Sequence, residues 1–396
     1  MTERKAELHE FSAEQLREEL RARFPSDHRA EFVRELPVRR DLFRAFTDDE
    51  LLNAILRQQK LVYGVAARVE VSDASPAEQK DARTVAGLFS LSSLRPGAND
   101  GHELDLSTFG ETVQRQFGRP LAAREPFQLQ PIGPLCSACL VAPDLVITVG
   151  RLVSVAVLAR TRFVFDFQLK PDGSLLQVKS ADVYRGIEVV DSEVNPIGDD
   201  WAVVRLDRPV IGRTPAALRR RGQPSVGQRL HVIGHPLGLP MKIAGGSIVR
   251  GYPEPEVFFA NLDVLGGGPG SPVFNSDTHE VEGILVRGGA ELVRVDAVMV
   301  SLICPEEGAL GALCSRASLI PLPGDEHAVL RLRRPYLRGA AVQLCQERLA
   351  RLGLSVPPDG VFGPKTRAAV RALQRREQLE PTGIVDQETQ ALLMDS

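Results

Sequence analysis

Residues 136–151 read CSACLVAPDLVITVGR, two short apolar and β-branched runs split by proline and aspartate. Runs of this length bounded by turn formers read as strands. The same texture continues on both sides. RFVFDF, AVVRL, RLHVIG, PVFN and GILVRG are all strand-like, with Gly, Pro, Asp and Asn between them, over the region from about residue 62 to about residue 320. Many short strands without long intervening helices predict a barrel or a sandwich.

The flanks have a different period. Residues 1–61 are charge-rich, with apolar residues at helical spacing: Leu8, Phe11, Leu16 and Leu20, then Phe32, Val33 and Leu36, then Leu51, Leu52, Ile55 and Leu56. Ser12 with Gln15 and Thr47 with Glu50 have capping-box spacing, in which side chains satisfy the orphaned amides of a helix start. This segment reads as a helical module, either an amphipathic arm packed on the next domain or a small adaptor for a partner. After a linker at 321–335, which includes PLPGDE and a basic stretch with Arg331, Arg333 and Arg334, helical spacing returns over 336–396. No long repeat stands out. The expected architecture is therefore multidomain and mainly β, with small all-α modules at both ends.

With 396 residues the chain is long enough for two or three domains, at roughly 100–200 residues each. A net charge of −3 gives no chain-wide basic field, so nucleic acid is set aside as a partner. No apolar run reaches the roughly 18 residues of a spanning helix, and MTERKAELHE is too charged for a secretory signal. The expectation is a cytoplasmic protein without a membrane span. Five cysteines, an odd number, fit that expectation better than a secreted disulfide framework would. Cys136 and Cys139 have Cys-x-x-Cys spacing, but no second ligand pair follows, and they are read as core thiols. Cys304 and Cys314 leave a bridge open. No metal site and no cofactor are expected, and no loop is set to cradle phosphate, because GGGPG follows a strand but leads into another strand and lacks the helix start that would bind it.

Four segments, CSACLVAPDLVITVGR (136–151), DDWAVVRLDRPV (199–210), LHVIGHPLGLPMKIAGG (230–246) and NLDVLGGGPGSPVFNSDTHEVEGILVRG (261–288), follow one another in the order of a trypsin-like serine protease. Region 62–320 resembles that family, particularly its bacterial glutamyl-endopeptidase-like branch. The resemblance implies two antiparallel β-barrels, the chymotrypsin fold, with catalytic groups in the cleft between them. Asp200, before Trp201 and Ala202, matches the family's aspartate. Arg151, after Thr148, Val149 and Gly150, stands where the histidine belongs. A guanidinium keeps its proton up to a pKa above about 12 and cannot serve as a general base near neutrality. Pro269, in Gly267-Gly268-Pro269-Gly270-Ser271-Pro272, stands where the nucleophilic serine belongs. Proline has no hydroxyl and no N–H, and the lost oxyanion donor is worth on the order of 3 kcal/mol in the transition state.

Two residues lie near enough in sequence to stand in for the missing groups. Ser271 lies two positions on, roughly 6–7 Å along a strand, too far for an attack geometry that tolerates about 1 Å. His235 in GHPLG reads as a structural turn histidine rather than a relocated base. A buried Asp200 without a partner would cost several kcal/mol, so a direct Arg151–Asp200 contact is expected. The alternative has Arg151 reaching out to solvent and Asp200 bonded to amides.

The last segment carries DGVFGPKT (359–366), AV (369–370), LQ (373–374) and TGIVD (382–386). It resembles the three-helix peptidoglycan-binding domain, with helices marked by Val342, Leu344, Leu349 and Leu352, by Val370 and Leu373, and by Thr389 and Leu392. Asp359, Gly360, Phe362, Gly363 and Thr366 are its motif residues, and their turn, cap and core roles outweigh ligand contact. The leading expectation is a pseudoprotease that acts as a protein-binding, scaffold or regulatory protein, its partner a protein or peptide. The alternatives are an active serine endopeptidase with a non-standard nucleophile and a cell-wall protein whose partner is peptidoglycan.

Overall fold

The computed structural model describes residues 68–394 except Asn99, Arg124, 196–197, 263–267, 289–291, Asp296, 302–310, 326–328 and 334–335. The N-terminal module expected at 1–61, with its two capping boxes, lies outside the described residues, as do Gly267 and Cys304. Two compact units are present. The first runs up to Ala217 and resumes from Ser225 to Ser315, and the second comprises Leu218–Pro224 with Arg316 onward.

The first unit contains both expected barrels. In one, the strands are ordered Val183–Tyr184, Thr161–Phe165, Val85–Ser90, Cys136–Ala142, Leu145–Thr148, Asp200–Leu206 and Gly186–Val194, with antiparallel neighbours. The outermost two are consecutive in the chain, so covalent continuity at Arg185 closes the sheet. Period-2 alternation sends Ala86, Leu88, Cys136, Ala138, Leu140, Phe163, Phe165, Ala202, Val204 and Leu206 into one core. The opposite face buries Phe89, Val164, Phe167 and Val178. That second layer is why these strands read as nearly continuous apolar runs.

In the second barrel, Lys242–Glu254 is long enough to pair first with Arg229–Gly234 and then with Val257–Ala260, which closes a ring through Ala312–Arg316, Val281–Arg287 and Pro272–Asn275. Arg68–Glu70 adds an outer strand against Lys242–Ala244. The helix Pro76–Ala82 follows it, capped reciprocally by Ser75 and Glu78. Lys242 is buried, its ammonium held by Glu70 at 2.9 Å and the Gln130 side-chain carbonyl at 2.8 Å.

The second unit holds three helices, Ala340–Arg351, Pro364–Arg376 and Gln387–Met394. Leu330, Val342, Cys345, Leu349, Val356, Phe362, Val370, Leu373, Val385 and Leu393 form its core. Leu344, expected on the buried face of the first helix, is exposed, and Cys345 takes the inward position beside Val342 and Leu349.

Two buried glutamines close the loops. Gln346 donates to Asp359 Oδ1 (2.8 Å), the Val361 carbonyl (3.0 Å) and Thr366 Oγ1 (2.9 Å), and its carbonyl accepts from the Gly360 amide (2.8 Å). Gln374 repeats the pattern with Thr382 Oγ1 (3.0 Å), the Ile384 carbonyl (2.9 Å), Thr389 Oγ1 (2.9 Å) and the Gly383 amide (2.8 Å). Removing either amide strands several buried polar groups at once. Gln346→Ala and Gln374→Ala are each expected to destabilise this unit by about 2 kcal/mol in urea melts, against less than about 0.5 kcal/mol for Gln343→Ala on the exposed face.

Candidate functional site

The strand Leu145–Thr148 ends in a single turn, Gly150–Leu152, that delivers Arg151 beside the first residue of Asp200–Leu206. Gly150 is required there, since a Cβ would lie 2.7 Å from the Trp201 carbonyl oxygen and 2.9 Å from that of Glu193. The Asp200 carboxylate is fully buried. It accepts the Arg151 backbone N–H at 3.0 Å and forms an ion pair with Arg151 Nη1. Arg151 Nη2 donates to the Val286 carbonyl at 2.8 Å, on the second barrel. The expected Arg151–Asp200 contact is therefore present, and the alternative of an outward-pointing arginine is not what the chain adopts.

Two residues that the sequence did not single out complete the arrangement. Ser315, from the second barrel, accepts the Asp200 backbone N–H through its hydroxyl at 2.9 Å. Arg287, almost fully buried at the end of Val281–Arg287, places Nη2 3.9 Å from Asp200 Oδ2 and 3.3 Å from the Asn195 carbonyl. Burial, reinforced by the Arg151 charge and opposed by Asp200, lowers the Arg287 guanidinium to about 10. It stays a cation at neutral pH, so two cations face one anion. The only signal in the sequence was a lone arginine ending an apolar strand, which reads equally well as a solvated strand terminus.

The loop that would carry a nucleophile packs against the first barrel. The Pro269 carbonyl accepts the Ser137 N–H at 2.8 Å, and the Gly270 N–H donates to Leu285 at 2.8 Å. Gly270 has φ +83, and a Cβ there would sit 2.1 Å from the Ser137 carbonyl oxygen, so no other residue fits without backbone movement. The Ser271 N–H donates to the Gly268 carbonyl at 3.1 Å. Hence the amides of Gly270 and Ser271 are both spent on carbonyls, and Pro269 has none. Ser271 itself is buried, its Oγ 2.5 Å from the Gly268 carbonyl and 3.0 Å from Ser137 Oγ. The Ser137 hydroxyl in turn accepts the His235 N–H at 2.9 Å.

His235 is buried with Nδ1 3.1 Å from the Leu239 carbonyl, which fixes the proton on Nδ1, and Nε2 has no hydrogen-bond partner among the described residues. Ser271 and His235 thus do not form a serine–histidine pair. Burial, opposed by the Leu239 carbonyl and aided by the Lys242 charge, lowers His235 to about 4. Cys136 and Cys139 are free core thiols, pushed by burial up to about 11 and about 12, so both are protonated at neutral pH. Cys314 is likewise free and buried.

The motif residues of the last unit all have structural duties. Asp359 accepts from the Val361 amide (2.9 Å) and Gln346 (2.8 Å), which in that order hold its carboxyl below the ordinary value. Gly360 has φ +68, Phe362 is a core residue, Gly363 caps the second helix, and Thr366 is buried against Gln346.

Two outcomes follow from this geometry. Arg151→Ala leaves a fully buried carboxylate with the backbone N–H of residue 151 and, as its one remaining nearby cation among the described residues, the more distant Arg287, and is expected to cost about 3 kcal/mol in urea unfolding. Asp200→Asn in the same chain should recover part of that, with non-additivity above about 1 kcal/mol. For His235, the folded value near 4 lies below the unfolded value near 6.5, so the unfolded chain binds a proton first as pH falls. Stability should decline from about pH 6.5 down to about pH 4, and His235→Gln should flatten that slope in pH-dependent melts.

Residues 136–284 match the family described as "Trypsin-like peptidase domain", and residues 338–393 match the "Putative peptidoglycan binding domain". No curated protein matches the chain. Solved structures with similarity include a Glu endopeptidase in complex with MPD, at 12% identity over 65% of this chain and 94% of that chain, TM-score 0.36. A scabies mite inactivated protease paralogue, S-I1, is similar at 11% identity over 60% and 91%, TM-score 0.36. The active form of the Rv3671c protease from M. tuberculosis is similar at 14% identity over 61% and 79%, TM-score 0.33. From the two family matches and the pair of closed barrels, the chain carries a trypsin-like peptidase domain followed by a domain of the peptidoglycan-binding type.

Proposed function

We propose that this chain is a catalytically inactive trypsin-like domain that works by binding, as a scaffold or regulator of a protein or peptide partner. The observation that carries the reading is the commitment of Arg151: its guanidinium is occupied by Asp200 and the Val286 carbonyl at the position where a general base would stand. The proline at 269 supports it, since neither a hydroxyl nor an amide is offered there. Loss of the triad leaves strand edges intact, and main-chain hydrogen bonding to an extended peptide needs no catalytic group. No helix among the described residues is long and apolar enough to cross a membrane.

A fluorophosphonate probe for serine hydrolases tests the reading directly. The purified chain is expected to show no labelling above a heat-denatured control, and Arg151→His with Pro269→Ser is expected to gain some. Labelling of the unaltered chain that disappears in Ser271→Ala would overturn the proposal in favour of an endopeptidase with a non-standard nucleophile.

The match at 338–393 favours a second reading, that the last domain binds peptidoglycan. Such binding would put the protein at the cell wall, whereas reuse of the module for another ligand fits a cytoplasmic protein. Co-sedimentation with purified peptidoglycan decides between them. Pelleting no greater than that of a variant with Asp359→Ala and Phe362→Ala would count against the cell-wall reading.

A further inference from the structure

A cluster of metal-ligating side chains lies away from Arg151 and Asp200. Asp81, from the helix Pro76–Ala82, His231, from the strand Arg229–Gly234, and His279, from the turn after Pro272–Asn275, converge with their donor atoms all within 4.8 Å of one another. His231 Nε2 is 3.1 Å and His279 Nδ1 2.6 Å from the same oxygen, Asp81 Oδ2. The three come together from positions 150 and 198 residues apart, so no ligand spacing was visible in the sequence. Local spacing, on which the expectation of no metal site depends, does not reveal a set assembled by the fold.

We propose that Asp81, His231 and His279 form a binding site for a zinc-class divalent ion. Two imidazole nitrogens and one carboxylate oxygen are a donor set suited to zinc, and calcium or magnesium would call for oxygen alone. Metal–donor distances of about 2.0–2.1 Å place tetrahedral donors about 3.3 Å apart, so the two separations to Asp81, 3.1 and 2.6 Å, stand within an ångström of the required spacing, and the two imidazole nitrogens lie within 4.8 Å of each other. The ring of His231 is set for this task. It stacks on Phe274 with centroids 5.2 Å apart and planes 8° apart, and its other nitrogen, Nδ1, lies 3.3 Å from Ser276 Oγ. An outer hydrogen bond of that kind orients a ligating imidazole and fixes which nitrogen is free.

Access also fits. His231 and Asp81 are buried, while the His279 side chain is about a third exposed (35%) and gives the ion an entry path. His279 adopts φ +59, an uncommon conformation for a residue other than glycine, and it is this turn that points the ring at Asp81. Glu78 lies one helical turn before Asp81 on the same helix. Three protein donors leave a fourth position for water. A bound ion would clasp the helix Pro76–Ala82 to the second barrel.

The test is a Zn²⁺ titration of the full, chelator-treated chain against a competing chromophoric chelator, repeated with Co²⁺ in the visible range. One equivalent of Zn²⁺ should bind, and Co²⁺ should give the intense absorption of a four-coordinate N/O site. His279→Ala, at a partly exposed position, should abolish the tight equivalent although the other six histidines remain. Ser276→Ala should weaken binding about tenfold. Mg²⁺ and Ca²⁺ should not compete. Equal Zn²⁺ affinity in the unaltered chain and in His279→Ala, or no stoichiometric Zn²⁺ binding at all, would show a hydrogen-bonded triad only and overturn the proposal.

Discussion

A carboxylate removed entirely from water must be balanced by charge and hydrogen bonds, and Asp200 meets that demand with partners from both barrels. Arg151 supplies a backbone N–H and an ion pair from one side. From the other side, Arg287 adds its charge, while Ser315 and the Val286 carbonyl hold the Asp200 main chain and the Arg151 guanidinium. The cost of burying one anion therefore becomes a constraint on how two independently closed barrels sit against each other. Every residue around it inherits that constraint: Gly150 because the turn must pass close to two carbonyls, and Gly270 because the neighbouring loop has no room for a Cβ.

The same arrangement separates scaffold from chemistry. The barrels depend on alternating apolar faces and on pairing along each strand, and neither depends on what sits at 151 or 269. An arginine serves the buried aspartate as a source of hydrogen bonds at least as well as a histidine would, and unlike histidine it stays charged at any physiological pH. A proline, in turn, keeps its carbonyl available to Ser137 while giving up the N–H. Both residues fit a chain that keeps the architecture.

The architecture was legible because strand texture is local. Runs such as LVITVG and AVVRL announce themselves, and the pairing of Ala202 with Thr148 joins two of them. The Arg151–Asp200 contact could be anticipated because the family resemblance supplied their proximity and burial supplied the need. Arg287, Ser315 and Ser137 could not, since their roles depend on which residue a second barrel brings across, information that no window of sequence contains. Leu344 was misplaced for a smaller reason: the inward face of a 12-residue helix admits a cysteine as readily as a leucine, and spacing cannot choose between adjacent apolar positions. The cluster of Asp81, His231 and His279 is the extreme case, assembled from a helix, a strand and a turn.

In the last unit, one amide at each of two helices does the work of a whole network, and the stretch of chain it closes differs in length. Gln346 reaches Gly360 across 14 positions and Gln374 reaches Gly383 across 9. The clamp fixes the residue before each glycine (Asp359 or Thr382), the glycine, the carbonyl after it and a later threonine hydroxyl, so the five extra residues of the first excursion are accommodated upstream of Asp359. Insertions and deletions ahead of Asp359 and of Thr382 are thus the changes through which such a module diversifies its surface while its interior stays the same.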